Sequence, residues 1–154
     1  MQSDLSNYIP IELSSKIEYA FLTLLELVSH ANRSYSPLTI TEIASKHAIP
    51  ERYLEQIMTV LRRAGLVRSY RGSRGGYALA REPNEITLFE VIALVDGERK
   101  PRELESTPNL ERQIVYKVWQ NLNALSRKFL TDITLQDLYQ EWDENQRSNP
   151  MYYI

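Results

Sequence analysis

The sequence predicts a mainly α-helical protein with one small β-hairpin, and two observations carry that prediction. Between residues 50 and 61, apolar side chains recur at the spacing of one buried helical stripe. The following run Arg71-Gly72-Ser73-Arg74-Gly75-Gly76 lies between short apolar segments, a pattern typical of two antiparallel strands joined by a flexible turn. A helix followed by such a hairpin indicates the winged form of the helix-turn-helix.

The bulk composition favours one soluble domain with a helical appendage. The chain has 154 residues, of which 43% are hydrophobic and 25% charged. No apolar run approaches the roughly 20 residues of a membrane span, and the first residues lack the layout of a secretory signal. The chain contains no cysteine, so no disulfide forms. We expect a cytoplasmic protein with no membrane partner.

The charge is divided unevenly along the chain. Residues 33 to 81 contain nine Lys or Arg and three Glu, a net charge of +6. The remaining residues contain nine Lys or Arg and 17 Asp or Glu, a net charge of −8, so the whole chain carries −2. This asymmetry indicates that the basic segment meets a polyanion.

The first elements follow from caps and periodicity. Residues 1–12 show no period and are expected to be a tail. A first helix is predicted over Ser14 to Ala31, and Lys16 in its first turn opposes the helix dipole, which favours a phosphate contact. Thr39-Ile40-Thr41-Glu42 opens a second helix over Thr41 to His47, where a threonine cap can hold a DNA phosphate.

The third helix is predicted to have Pro50 in its first turn, where a missing N–H costs nothing, and to end at Ala64-Gly65, because glycine readily takes the left-handed conformation of a C-cap. Helices two and three form the predicted helix-turn-helix. After the hairpin, Thr87 caps a fourth helix that Asp96-Gly97 ends. Residues 98–109 are charged, contain two prolines and are expected to form a loop.

Helix five, from about Leu110 to Leu130, carries an apolar stripe for about five turns. A short last helix begins at Thr134, so residues 110–143 form the helical appendage and residues 144–154 a tail. We expect helix five to form a homodimer, and packing on its own winged domain is the alternative. The expected dimerisation residues are Ile114, Val118, Trp119, Leu122, Leu125 and Phe129.

Over about residues 13–97 the chain resembles the Rrf-two (Rrf2) family of bacterial winged-helix transcription regulators, which includes IscR-like, NsrR-like and CymR-like proteins. The resemblance lies in an ordered series of motifs spread over half the chain. They are Ser15-Lys16-x-x-Tyr19-Ala20, Ile43-Ala44, Ile49-Pro50-x-x-Tyr53-Leu54-Glu55-Gln56, Leu61-Arg62-x-Ala64-Gly65-Leu66-Val67-x-Ser69 and Arg71-Gly72-x-x-Gly75-Gly76-Tyr77-x-Leu79-Ala80-Arg81.

The resemblance implies a regulator that binds an inverted-repeat operator as a homodimer. It implies three groups of DNA-binding residues: Arg52, Tyr53, Glu55 and Gln56 in the major groove, Lys16, Thr41, Arg63 and Ser69 on the backbone, and Arg71, Gly72, Arg74 and Gly75 in the wing. Two alternatives stay open. Tyr53 also fits the buried stripe, and Glu55 could pair with a neighbouring arginine.

The residue pattern supports neither catalysis nor a nucleotide site, so we expect that the protein is not an enzyme. Many regulators of the resembled family hold an iron–sulfur cluster with cysteines in the loop that corresponds to residues 98–109. This chain has none, and we expect no cluster and no metal. The signal is then expected from a small molecule or a protein partner. A winged-helix adaptor that docks an acidic protein is the alternative function, and RNA binding is less favoured.

Overall fold

The computed structural model describes residues 5–8, 11–97 and 109–148, and it confirms a mainly helical fold with a two-stranded antiparallel hairpin. A short 3₁₀ turn at Pro83–Glu85 follows the hairpin. In chain order the other elements are α1 (Ser15–Ala31), α2 (Ile40–His47), α3 (Glu51–Arg63), β1 (Val67–Tyr70), β2 (Gly76–Leu79), α4 (Leu88–Asp96), α5 (Leu110–Thr131) and α6 (Leu135–Ser148).

Helix α1 lies at the centre of the core and packs against α3, α4, α6 and β2. Its buried stripe includes Leu24 and Leu27, and α3 contributes Leu54, Ile57 and Leu61, all almost or completely inaccessible to solvent. Burial of each such side chain contributes roughly 1.5–3 kcal/mol. The apolar periodicity of α1 and α3 therefore fixes which faces of these helices point inward.

The turn between α2 and α3 is tight. Ala48 takes a left-handed conformation at φ 53°, and the N–H of the buried Ile49 donates to the carbonyl of Ala44. At the other end of α3, Gly65 has φ 79°, as the predicted C-cap requires. These two turns set the position of α3 between α2 and the hairpin.

The hairpin is joined to the start of α2. Strands β1 and β2 pair from Val67 with Leu79 to Tyr70 with Gly76. Leu38 forms an isolated antiparallel bridge to β2: its N–H donates to the Tyr77 carbonyl at 2.9 Å, and the Tyr77 N–H donates back at 2.6 Å. A side chain at Gly76 would clash with the Leu38 carbonyl, so this close approach requires glycine.

The last two helices return to the core through the turn between them. The Leu88 N–H donates to the Ile133 carbonyl at 3.0 Å, and the Leu135 N–H donates to the Ile86 carbonyl at 2.8 Å. Leu135 is completely buried, and α6 packs against α1. Helix α5 instead packs against α4 and has no buried residue of its own.

Some predicted boundaries differ from those observed. Helix α2 begins at Ile40 rather than Thr41, with Thr39 as its N-cap. Helix α6 continues to Ser148, beyond the predicted end near residue 143, with an i,i+4 ion pair between Asp143 and Arg147 at 3.0 Å in its last turns. Of the predicted loop at 98–109, residues 98–108 lie outside the described residues, as do residues 149–154 of the predicted tail.

Within the described ranges, no helix has the length and apolar character that crossing a membrane requires.

Candidate nucleic-acid interface

Helix α3 separates its side chains cleanly between core and solvent. Leu54, Ile57, Met58 and Leu61 are buried, while four predicted DNA-binding residues are exposed on the other face: Arg52, Glu55, Gln56 and Arg63. Thr59 lies at the edge, and its hydroxyl donates to the Glu55 carbonyl. The exposed guanidinium, carboxylate and amide groups can make the bidentate hydrogen bonds that distinguish base pairs in a major groove.

The sequence left open whether Tyr53 is buried or faces DNA, and the structure leaves it partly exposed. Its side chain is 40% exposed, and its ring meets the Tyr19 ring edge-on, with centroids 5.8 Å apart and an interplanar angle of 82°. This contact brings the first turns of α1 beside the start of α3. Lys16 is half-buried and lies one turn before Tyr19 on the same side of α1.

The start of α2 is closed by a capping box rather than by Thr41. The Glu42 N–H donates to Thr39 Oγ1 at 3.2 Å, and the Thr39 N–H donates to Glu42 Oε2 at 2.8 Å. The same bonds hold the pKa of the Glu42 carboxyl below its ordinary value. Thr41 is exposed in the first turn, where backbone N–H groups without intrahelical partners favour an anion.

The wing tip exposes Arg71 and Arg74 on a glycine turn closed by the bond from the Gly75 N–H to the Gly72 carbonyl at 3.0 Å. Ser69 is exposed on β1 and pairs with Tyr77. Small residues at the turn leave little bulk between the backbone and a ligand. Two exposed arginines on such a turn can follow a phosphate backbone or enter a narrow minor groove.

Within the described part of the chain, the arginines of this surface have no carboxylate partner. Of the nine basic residues between 33 and 81, Arg33 and Lys46 pair with Glu26, and Arg81 pairs with Glu90. The other six take part in no ion pair: Arg52, Arg62, Arg63, Arg68, Arg71 and Arg74. Glu55 also has no ion-pair partner, so the predicted alternative for Glu55 is not observed.

A buried ionic cluster on the other side of α2 was not predicted from the sequence. The Glu26 side chain is 9% exposed, and it accepts from Lys46 Nζ at 3.0 Å and from His47 Nε2 at 3.1 Å. Burial raises the pKa of the Glu26 carboxyl. The hydrogen bonds and charges of Lys46 and His47 together lower it by more, so the pKa lies below the ordinary 4.5. Lys46 and His47 follow Glu26 by 20 and 21 residues and share no motif with it.

Helix α5 exposes its apolar stripe. The six predicted dimerisation residues are between 44% and 69% exposed, and Leu110 and Val115 extend the same surface. On its other side, Arg127 lies over the Phe89 ring of α4 at 4.8 Å. The alternative in which this stripe packs on the winged domain of its own chain does not match the observed exposure. Such a large exposed apolar surface marks an interaction site.

The residues present do not fit an iron–sulfur cluster. Such clusters are held chiefly by cysteine thiolates, and the chain contains no cysteine. Across residues 5–8, 11–97 and 109–148, the structure brings together no group of three or more His, Cys, Asp or Glu side chains that could bind a metal ion.

Comparison with known proteins gives a consistent set of relatives. The profile of the Rrf2 family, described as iron-dependent transcriptional regulator, matches residues 13–141. The transcriptional regulator CymR of Bacillus subtilis is 33% identical over 94% of this chain and 100% of its own. IscR of Vibrio atlanticus is 34% identical over 85% of this chain and 76% of its own. The solved structure of T. potens IscR superposes with a TM-score of 0.73 at 32% identity, covering 89% of this chain and 92% of that one.

Proposed function

The chain belongs to the Rrf2 family of transcriptional regulators, and we propose that it binds an inverted-repeat operator as a homodimer and carries no iron–sulfur cluster. It is a DNA-binding regulator of the helix-turn-helix type. The observation that carries the proposal is the set of six arginines on and around α3 and the wing that pair with no carboxylate among the described residues. Within the proposal, residues 13–97 form the DNA-binding domain and the protein acts in the cytoplasm without catalysis.

The proposed contacts divide into base reading and backbone binding. Arg52 and Gln56 suit guanine and adenine respectively, and Glu55 suits the amino group of cytosine. Tyr53, held against Tyr19, flanks these residues. The backbone contacts are assigned to Lys16, Thr41, Arg63 and Ser69, and the wing contacts to Arg71, Gly72, Arg74 and Gly75.

The proposed homodimer rests on the exposed stripe of α5. A two-fold axis would place the same stripe of both chains together and present two copies of α3 to successive turns of one DNA face. Two copies of a modestly basic surface also give the dimer a higher affinity for DNA than one copy gives the single chain. We therefore expect half-sites about one or two helical turns apart.

Selection from a pool of random DNA duplexes tests the proposal directly. Bound sequences are expected to converge on imperfect inverted repeats, with an affinity that falls steeply with salt because phosphates are neutralised by Lys and Arg. A matched pool of RNA duplexes is the control. Selection of asymmetric, unrepeated sites, or the absence of any enriched sequence, would refute operator binding as proposed.

The proposed absence of a cluster has its own test. The chain lacks the thiolate ligands, so anaerobic treatment with iron and sulfide is expected to leave the purified protein colourless. A cysteine-containing IscR treated in parallel serves as the positive control. A stoichiometric visible chromophore that changed DNA affinity on oxidation would contradict the proposal. The signal is instead assigned to a small molecule or a protein partner.

A further inference from the structure

A cleft of about 200 Å³ lies between α1, α2 and α6. Its walls are mostly apolar, and its lining residues come from all three helices: Leu22, Leu25, Glu26, Ser29, Lys46, His47, Trp142 and Gln146. Lys46 and His47 belong to the last turn of α2, at the opposite end of that helix from the capped N-terminus. The cleft is therefore separate from the proposed DNA-binding surface.

Positive charge exceeds negative charge around Glu26, whose side chain lines this cleft. Glu26 supplies one carboxylate, and Lys46 and Arg33 supply two permanent cations, at 2.9 Å and 3.7 Å from its oxygens. His47 adds a further hydrogen-bond donor or, when protonated, a third cation. The Lys46 side chain is 50% exposed, and its ammonium group has three donors of which Glu26 does not occupy all. This imbalance favours an anionic ligand.

A serine hydroxyl belongs to the same cleft. Ser29 is a largely buried residue of α1 and lines the cleft. The hydrogen bond from Arg33 Nε goes to the Ser29 backbone carbonyl and therefore does not occupy its hydroxyl. The Ser29 hydroxyl can donate to a ligand oxygen in the cleft.

We propose that this cleft binds a small organic monocarboxylate with an apolar body. The carboxylate lies between the Lys46 ammonium and the Ser29 hydroxyl, and the body packs against Leu22, Leu25 and Trp142. A cationic analogue is repelled by Lys46, and a neutral amide loses the charge-assisted bond. The volume is below the roughly 300–1,000 Å³ of drug-sized sites, which restricts the ligand to a small metabolite.

The ligand carboxylate competes with Glu26 for Lys46, and that competition connects the cleft to the helix-turn-helix. Lys46 and His47 hold the end of α2 to Glu26 of α1. A ligand that draws Lys46 away weakens this connection and shifts α2 relative to α1. This step rests on the proposed function, whereas binding in the cleft does not. A coupling of typical size would change operator affinity roughly five- to 150-fold.

Binding is measured without DNA by the NMR signal of the Trp142 indole N–H. The probes are isovalerate, phenylacetate and indole-3-acetate, each compared with its own amide. At least one acid is expected to shift the signal saturably, with its amide at least about tenfold weaker. A shift in no acid titration, or equal affinities of acids and amides, overturns the proposal.

Two variants assign the site. Lys46→Met is expected to weaken acid binding at least about tenfold, whereas Lys117→Met, a matched change on exposed α5, leaves it unchanged. Gln146→Phe keeps every charge and fills the cleft from its α6 side, so it is expected to abolish binding even if Lys46→Met does not fold. Unchanged binding in Gln146→Phe, or in a folded Lys46→Met, refutes the site. If the protein binds acids but selects no inverted repeat from the DNA pool, the cleft proposal stands and the proposed operator binding is refuted.

Discussion

Replacement of Leu125 by alanine isolates the proposed dimer contact from the stability of the single chain. Leu125 is 69% exposed on α5, so its loss removes little packing within one chain. Leu→Ala removes three carbons, and each buried carbon contributes about 0.8 kcal/mol. Coverage of the exposed fraction by a partner thus stabilises the dimer by about 1.6 kcal/mol per chain, or about 3 kcal/mol for a symmetric pair. The expected loss in dimer affinity is about 100-fold or more.

Sedimentation equilibrium measures the dimer dissociation constant, and circular dichroism measures helix content. Gln120→Ala is the matched control, because Gln120 is exposed on α5 but outside the apolar stripe. We expect Leu125→Ala to dissociate at concentrations where Gln120→Ala remains dimeric, with the same helix content in both. Equal dissociation constants for wild type and Leu125→Ala would show that the stripe does not form the dimer. Lost helix content would show that Leu125 stabilises the single chain instead.

Four further substitutions test the interface and the core. Arg71→Ala is expected to weaken binding to all duplexes alike and to reduce the dependence of the logarithm of affinity on the logarithm of salt concentration by about 1. Gln56→Ala is expected to relax base preference at one position per half-site by roughly 1–3 kcal/mol. The opposite pattern would reverse the assignment of the two residues to backbone binding and base reading. Gly76→Ala is expected to lower the free energy of unfolding by about 1–3 kcal/mol, seen in thermal denaturation, because its methyl group meets the Leu38 carbonyl. Glu26→Gln is expected to cost about 1–3 kcal/mol above pH 4.5, and the difference from wild type should shrink as pH falls through the lowered pKa of Glu26. A difference that grew below pH 4.5 would mean that the carboxylate is not stabilised in the folded protein.

Local signals were sufficient to predict most of the fold. The apolar period of α3, the glycine after its end and the glycine-rich turn each predict one element, because each acts within a few residues. The exposed stripe of α5 follows the same period, and the structure adds that none of the described segments buries it. The assignment of individual residues to bases stays a prediction, since it depends on DNA.

Features that join distant residues could not be predicted. Glu26 meets Lys46 and His47 only after α1 and α2 pack together, and no spacing rule relates them. The histidines gave no sequence motif, yet His47 is part of the α1–α2 contact. Thr39 shows a related limit: the sequence placed the start of α2 one residue late, because Thr39 and Thr41 are both acceptable helix openers and only Thr39 lies three residues before Glu42.

The pairing of Leu38 with Tyr77 has a consequence for how the protein fits DNA. The two residues exchange both backbone hydrogen bonds, so the chain from 38 to 77 is closed at its ends and contains α2, α3 and the hairpin. A segment closed in this way opens cooperatively rather than piece by piece. These bonds hold the base of the hairpin to the start of α2 and so restrict movement of the wing tip relative to α3. A duplex with a different groove width then has to deform to reach both. Flexible base steps between the half-site and the wing contact would then bind more tightly than stiff ones, although no side chain touches them.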